Sequence, residues 1–321
     1  MTAPGFGFFF WPYEPALVER MARLGEEQGW DLVGIADTPG NAMDCWVALA
    51  QAAMVTTRVR LASCVTNLET RDPAITAGAA ASIDRLSRGR FVLGVGAGHS
   101  GVTNVGHRAT APAALREGLR RVRATLDGDG SAASRPVPVY AAASGPAALR
   151  TAGAVADGAF VNYGLGAAEV AHARGLITEG ASGAGRDGGA LDTWFIACLD
   201  VSEQRETALA RLGNILGFVA AYILGPAPAA RGVPAELVPA IAELRRQYTT
   251  RRRDMDPDLV RRLGLFDYLR GRLAIAGTPE DCAAQTQVAI AAGASRLMFT
   301  VSLASDPVRT VELFGRHVLR R

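Results

Sequence analysis

Between Arg90 and Ser100 the chain reads RFVLGVGAGHS: an apolar run, glycines at 94, 96 and 98, and then His99. Glycine-rich turns let backbone N–H groups approach phosphates, and an imidazole moves protons near neutral pH. The spacing excludes the dinucleotide fingerprint G-x-G-x-x-G, because its third glycine would fall where His99 stands. Alternate residues of a strand share a face, so these glycines leave one face without side chains. That suits a crowded barrel interior or a flat ligand. Two other segments favour the ligand. IADTPG sets Asp37 and Thr38 at one strand end, and SCVTN sets Cys64, Val65, Thr66 and Asn67 at another. His99 is a candidate to donate a proton, to stabilise substrate charge, or only to bond a ligand or water. Asp37 either orients its loop or bonds a ring. Thr38 stands beside it as a weaker catalytic candidate. Phe10 and Trp11 either wall a substrate pocket or serve as core aromatics.

Several chemistries are excluded. All 34 basic residues are arginine, so there is no Schiff-base or P-loop lysine, and an anion must be held by guanidinium or backbone N–H groups. Cys45, Cys64, Cys198 and Cys282 are scattered, as are His99, His107, His172 and His317. Buried free thiols and no metal are expected. The net charge of +3 is too small for nucleic acid. No apolar run reaches the ~18–20 residues of a membrane span. MTAPGFGFFFWPYEP lacks the basic start of a signal peptide, so a cytoplasmic protein is expected.

The elements that must position these residues alternate from end to end. Strands are expected at 6–11, 31–37, 59–67, 90–98, 137–143, 158–164, 192–200 and 295–302, with helical patterns after each. Asp44 falls in the first turn of the second helix, and Pro73 opens the third. A Gly/Ser/Ala-rich loop covers 127–136. Eight βα units in 321 residues, 49% of them hydrophobic, predict a single-domain (β/α)8 TIM barrel. Between the seventh and eighth strands the chain is too long for one unit. A helical insertion at about 225–272 is therefore expected over the mouth. Its arginines at 245, 246, 251–253, 261, 262, 270 and 272 either form a solvated face, partly balanced by Asp254, Asp256 and Asp258, or in part line the entrance and attract an anion.

VRLASCVTNLETRDPAITAGAAASIDRLSRGRFVLGVGAGHS, RPVPVYAAASGPAALRTAGAVADGAFV and AGTPEDCAAQTQVAIAAGASRLMF together resemble the luciferase-like flavin/deazaflavin superfamily. Within it, the chain is most similar to coenzyme F420-dependent oxidoreductases of the methylenetetrahydromethanopterin reductase type. The resemblance implies hydride transfer between a deazaflavin and a small-molecule substrate, and a homodimer; the insertion and the altered catalytic positions point to a specialised, biosynthetic substrate. FMN is the alternative cofactor, with monooxygenase chemistry that a deazaflavin does not support. A non-catalytic flavin-binding protein is a second alternative. The resemblance further implies a non-prolyl cis peptide at Cys64–Val65 beside Thr66, with Gly96, Ala97, Gly98 and His99 near the polar edge of the ring. Ala143, Ser144 and Gly145 would take the phosphate at a helix N-terminus, with Asn162, Gly164 and Gly166 completing that pocket. The chain departs from the family pattern in three places: Thr38 for a histidine, Asp72 for the histidine of RHPA, and His99 for an acid.

Overall fold

The structure is a computed structural model that describes residues 4–128 and 136–320; most of the glycine-rich loop expected at 127–136 lies outside the described residues. Ten strands form one parallel sheet: β1 (Gly5–Phe10), β2 (Leu32–Ile35), β3 (Arg60–Ser63), β4 (Thr66–Asn67), β5 (Phe91–Gly96), β6 (Val139–Ala143), β7 (Gly158–Val161), β8 (Asp192–Val201), β9 (Ala274–Gly277) and β10 (Arg296–Thr300). The order β10-β1-β2-β3-β5-β6-β7-β8 closes on itself through β8–β10 pairing, giving an eight-stave barrel. The staves are apolar on both faces, as buried parallel strands are. Leu32, Ala62, Val92, Tyr140, Phe160, Trp194 and Met298 fill the interior. A larger layer including Phe8, Phe10, Leu61, Phe91 and Phe314 packs between sheet and helices. Tyr140 donates to Asp192 across the lower end, where Arg296 Nε also meets Asp192 Oδ1 at 3.2 Å.

Up to β8 the outer helices are α1 (Pro15–Gln28), α2 (Cys45–Val55), α3 (Pro73–Leu86), the single turn α4 (Ser100–Thr103), α5 (Pro112–Gly128), α6 (Pro146–Val155) and α7 (Ala167–Ser182). Proline opens α1, α3 and α6, where its missing N–H breaks no helical bond. Asp44 and Asp72 cap α2 and α3 by accepting backbone N–H bonds. Asp44 thus precedes the first turn in which the pattern had set it, and Asp72 acts as a cap where the family pattern has histidine.

After β8 come α8 (Arg205–Ala210), α9 (Leu212–Ile223), α10 (Val238–Gln247), α11 (Leu259–Arg262) and α12 (Phe266–Leu273), then β9, α13 (Pro279–Ala291) and, past β10, α14 (Pro307–Phe314). The extra helical layer starts at α9, earlier than residue 225. Its own apolar core includes Leu216, Ile241, Leu244, Val260 and Leu269. The sequence pattern did not announce β9. This strand pairs with the upper half of β8, Cys198–Val201, while β10 takes Phe195–Cys198 below. None of the described helices is long and apolar enough to cross a membrane.

Candidate active site

β3 ends at Ser63, and β4 resumes pairing with β5 at Thr66. Ala62 pairs Val92 and Thr66 pairs Val95, so four steps on one strand face three on the other. The extra residue makes a bulge at Cys64–Val65, whose peptide is cis. The bulge stands beside Gly96 at the C-terminal end of the barrel, where active sites of this architecture are built. A pocket opens there with about 1020 Å³ of unfilled space, its solvent-facing mouth included. Val65, Gly96 and Ala142 form its base, and Phe9, Trp11 and Ile196 form one side. Ile215, Phe218, Val219 and Tyr222 of α9 make the roof, at helical spacing i, i+3, i+4 and i+7.

The three glycines have three different reasons. A Cβ on Gly94 would lie 2.8 Å from the Phe160 ring, so that position relieves crowding in the interior. One on Gly96 would stand 2.9 Å from Val65 Cγ2 and 3.2 Å from Ala142 Cβ, narrowing the slot that a flat ligand needs. Gly98 turns the chain with φ +86°, which L side chains rarely adopt.

Burial shifts both Asp37 and His99 of the pocket towards their uncharged forms. Burial pushes the Asp37 carboxyl above its usual range, against the pull of a 2.7 Å hydrogen bond from Thr66 Oγ1. Burial pushes His99 down to about 3, so the ring is neutral at pH 7. The expectation of an imidazole titrating near neutrality does not hold. His99 Nε2 lies 3.0 Å from the Tyr248 hydroxyl, and the ring stacks on Tyr222 with centroids 4.2 Å apart. Thr38 Oγ1 accepts from Asn41, which also bonds the Thr250 carbonyl, so Thr38 helps anchor its loop to the insertion. Burial pushes the Cys64 thiol well above its usual range, leaving no ready thiolate.

Asp37, Thr38, Cys64, Val65, Gly96, Ala97, Gly98, His99, Ala143, Ser144, Asn162 and Trp11 all line this pocket. The others do not. Phe10 faces the helices and Phe9 takes the pocket side, a one-residue phase difference on β1. Thr66 supports Asp37 from behind. Gly145 caps α6, but the Arg231 guanidinium lies across it, donating to the Ser144 and Ile223 carbonyls. Gly164 and Gly166 lie under the Glu169 side chain in the first turn of α7. A carboxylate there competes with any phosphate. An anion therefore fits beside Ser144 and Arg231, not at the start of α7. The α9 roof, Tyr248 and Arg231 had escaped the sequence reading. The apolar stripe in LGNILGFVAAY was the available signal for the roof.

A closed (β/α)8 barrel with a mostly apolar slot at the strand ends, roofed by an inserted helix, is the architecture of an enzyme. More narrowly, the chain belongs to the luciferase-like monooxygenase family, whose profile matches residues 12–296. It is 29% identical over 347 aligned positions to 5,10-methylenetetrahydromethanopterin reductase of Methanolobus tindarius, covering 98% of this chain and 99% of that one. It is 31% identical over 195 residues to a phthiodiolone/phenolphthiodiolone dimycocerosates ketoreductase of Mycobacterium bovis, covering 54% of this chain and 51% of that one. Coenzyme F420-dependent tetrahydromethanopterin reductase from Methanopyrus kandleri has the same fold, with a TM-score of 0.79, 23% identity and 99% of both chains covered. So does an F420-dependent secondary alcohol dehydrogenase, solved with an F420-acetone adduct, at a TM-score of 0.76 and 18% identity over 99% of each chain.

Proposed function

We propose that this chain is an F420-dependent oxidoreductase that moves a hydride between the deazaflavin and a small organic substrate at the barrel mouth. The observation that carries the reading is the slot itself. Gly96 presents no side chain, Val65 and Ala142 are apolar, and Arg231 brings a guanidinium beside Ser144, where it bonds the carbonyl. Relatives whose names state F420 use on the same fold support the deazaflavin over FMN.

The residues divide the work by position. Val65, Gly96, Ala97, Gly98 and Ala142 would hold the ring system, and Ser144 with Arg231 would hold the phosphate. When bound, the deazaflavin supplies or takes up the hydride. Phe218, Val219 and Tyr222 exclude water and keep the substrate in an apolar space. Asp37, with its raised pKa, exchanges the proton that balances the hydride. His99 remains neutral and serves as a hydrogen-bonding group held by Tyr248.

Separate titrations of the purified protein with F420 and FMN test this, followed by a turnover screen with the tighter binder. Tight F420 binding with F420-dependent oxidation or reduction is expected. FMN binding with oxygen consumption would replace the reading with a monooxygenase. Binding without turnover of any substrate would leave a flavin-binding protein.

A further inference from the structure

Most arginines of the insertion are already satisfied. Arg246 pairs with Glu243, Arg262 with Asp256 and Arg270 with Asp267. Arg272 is buried on the carbonyls of Tyr163, Arg231 and Gly232. Arg261 lies over the Phe266 ring. The run at 251–253 differs. Only Arg253 has a carboxylate near it, Asp254 at 3.7 Å. Among the described residues Arg251 has no acidic partner, and Arg252 rests on the Tyr13 ring, 4.1 Å from its centroid.

These three arginines, with Gly40, Asn41 and Asn104, enclose a second hollow of about 890 Å³ of unfilled space, open to solvent. Its frame is fixed by side chains. Asn41 Nδ2 donates to the Thr250 carbonyl at 2.8 Å, Arg252 N donates to Asn41 Oδ1 at 3.0 Å, and Thr250 Oγ1 donates to Asn104 Oδ1 at 2.7 Å. Two chain segments border both hollows. Asp37–Thr38 line the slot and Gly40–Asn41 the hollow; Ser100–Gly101 line the slot and Asn104 the hollow. Tyr248 holds His99 in the slot, and Arg251 stands three residues further on. The hollow therefore lies beside the slot, on the loops that follow β2 and β5.

It lies away from the place assigned to the cofactor's phosphate. Gly40 and Asn41 follow β2, whereas Ser144 and Asn162 follow β6 and β7, three and four staves further round a barrel of eight. The guanidinium assigned to that phosphate, Arg231, is on that other side, bonded to the Ser144 and Ile223 carbonyls. No arginine lines the slot where reaction would occur.

We infer that the cleft of Arg251, Arg252 and Arg253 binds the anionic end of the substrate, so that the substrate has a neutral, largely apolar reacting part and a carboxylate or phosphate at its far end. This deepens the function proposed above and rests on it. Guanidinium groups grip both oxyanions in paired hydrogen bonds, and three on one short segment add their charge.

Calorimetric binding tests the inference without turnover. The probes are a graded set of alkyl and arylalkyl carboxylic acids, each beside its methyl ester, with the matching phosphate monoesters beside their alcohols. At low salt, the protein loaded with F420 should bind at least one acid or phosphate about tenfold tighter than its neutral partner. Whether acids or phosphates show the larger ratio distinguishes the two anions. In the triple variant Arg251→Gln, Arg252→Gln, Arg253→Gln the ratio should fall towards one, with F420 affinity unchanged. If the triple variant does not fold, Arg251→Gln alone should lower the ratio. The inference is overturned if no charged probe is preferred by the wild type. It is also overturned if the ratio survives in the variant, or if the variant weakens F420 and spares the ratio, which would give the cleft to the coenzyme's tail. Loss of F420 binding by the wild type, with the charged preference intact in the unloaded protein, would overturn the coenzyme assignment and leave the anion site standing.

Discussion

Asp37 and His99 share one pocket, and burial drives both towards the uncharged form. For the carboxyl this means a proton retained above its ordinary range; for the imidazole it means one lost. Asp37→Asn is expected to lower kcat roughly 10²–10⁴-fold with little change in F420 affinity, since only the proton step is removed. In the reductive direction, wild-type rates should decline as rising pH ionises Asp37, and the Asn variant should lack that limb. Retained turnover in Asp37→Asn would dismiss the acid. For His99 the expectation is an absence: the kcat/KM profile should show no break near pH 6.5 that His99→Ala removes. The variant should instead raise KM, because it opens a gap against Phe218 and Tyr222. The types and spacing of Asp37, Gly96 and His99 were legible because each ends a strand, and strand ends meet at the mouth of a barrel. The protonation of His99 was not, since it depends on aromatic side chains more than a hundred residues away in the chain. Phe9 and Phe10 show the limit of a two-residue period: in FGFFFW both phases are apolar, so only the tertiary fold decides which phenylalanine faces the slot.

At the scale of elements, the alternation of strand and helix could be read because continuous apolar runs and proline-opened helices mark each unit. The short β9, AIAG, carried no such mark. The start of the helical layer was hidden too, since α9 is as apolar as a core helix and reads as part of the preceding unit. One junction makes a stability prediction. Glu26 on α1 accepts bonds from Thr57 N, Thr57 Oγ1, Arg58 N and Val59 N, holding the approach to β3. Partial burial pushes its carboxyl up, but these bonds outweigh that and bring it down from 4.5 to about 2. A depressed carboxylate stabilises the fold above its unfolded pKa and loses that contribution as pH falls through the folded one. Because the carboxylate is only partly buried and solvent screens it, Glu26→Gln should destabilise the protein by about 1 kcal/mol at pH 7 in urea unfolding. The gap should close between pH 4.5 and 2. An equal gap at both ends of that range would show that packing, not charge, holds the junction.

For the whole molecule, the outer surface of α2 and α3 stands apart. α2 has no charged side chain, and Val47, Met54 and Ile75 are 59%, 71% and 60% exposed. Apolar surface of this kind on an outer helix pair suits a second copy meeting it about a two-fold axis. A homodimer is expected by light scattering. Met54→Glu combined with Ile75→Glu should give monomers that still bind F420. A wild type that is monomeric at high concentration would remove the need for a partner there.

The bonds that tie Asn41, His99 and Asn104 to residues 248–252 join positions separated by 146 to 211 residues along the chain. Contacts so distant in sequence are costly to close and form slowly. Staves adjacent in the chain can pair well before them, while the β1–β10 seam, joining Gly5 to Arg296, spans more chain still. A nascent or partly refolded chain would then possess strands and helices yet no roofed slot. Recovery of ring binding would lag behind recovery of secondary structure, and the coenzyme would act as a reporter of the last stage of maturation.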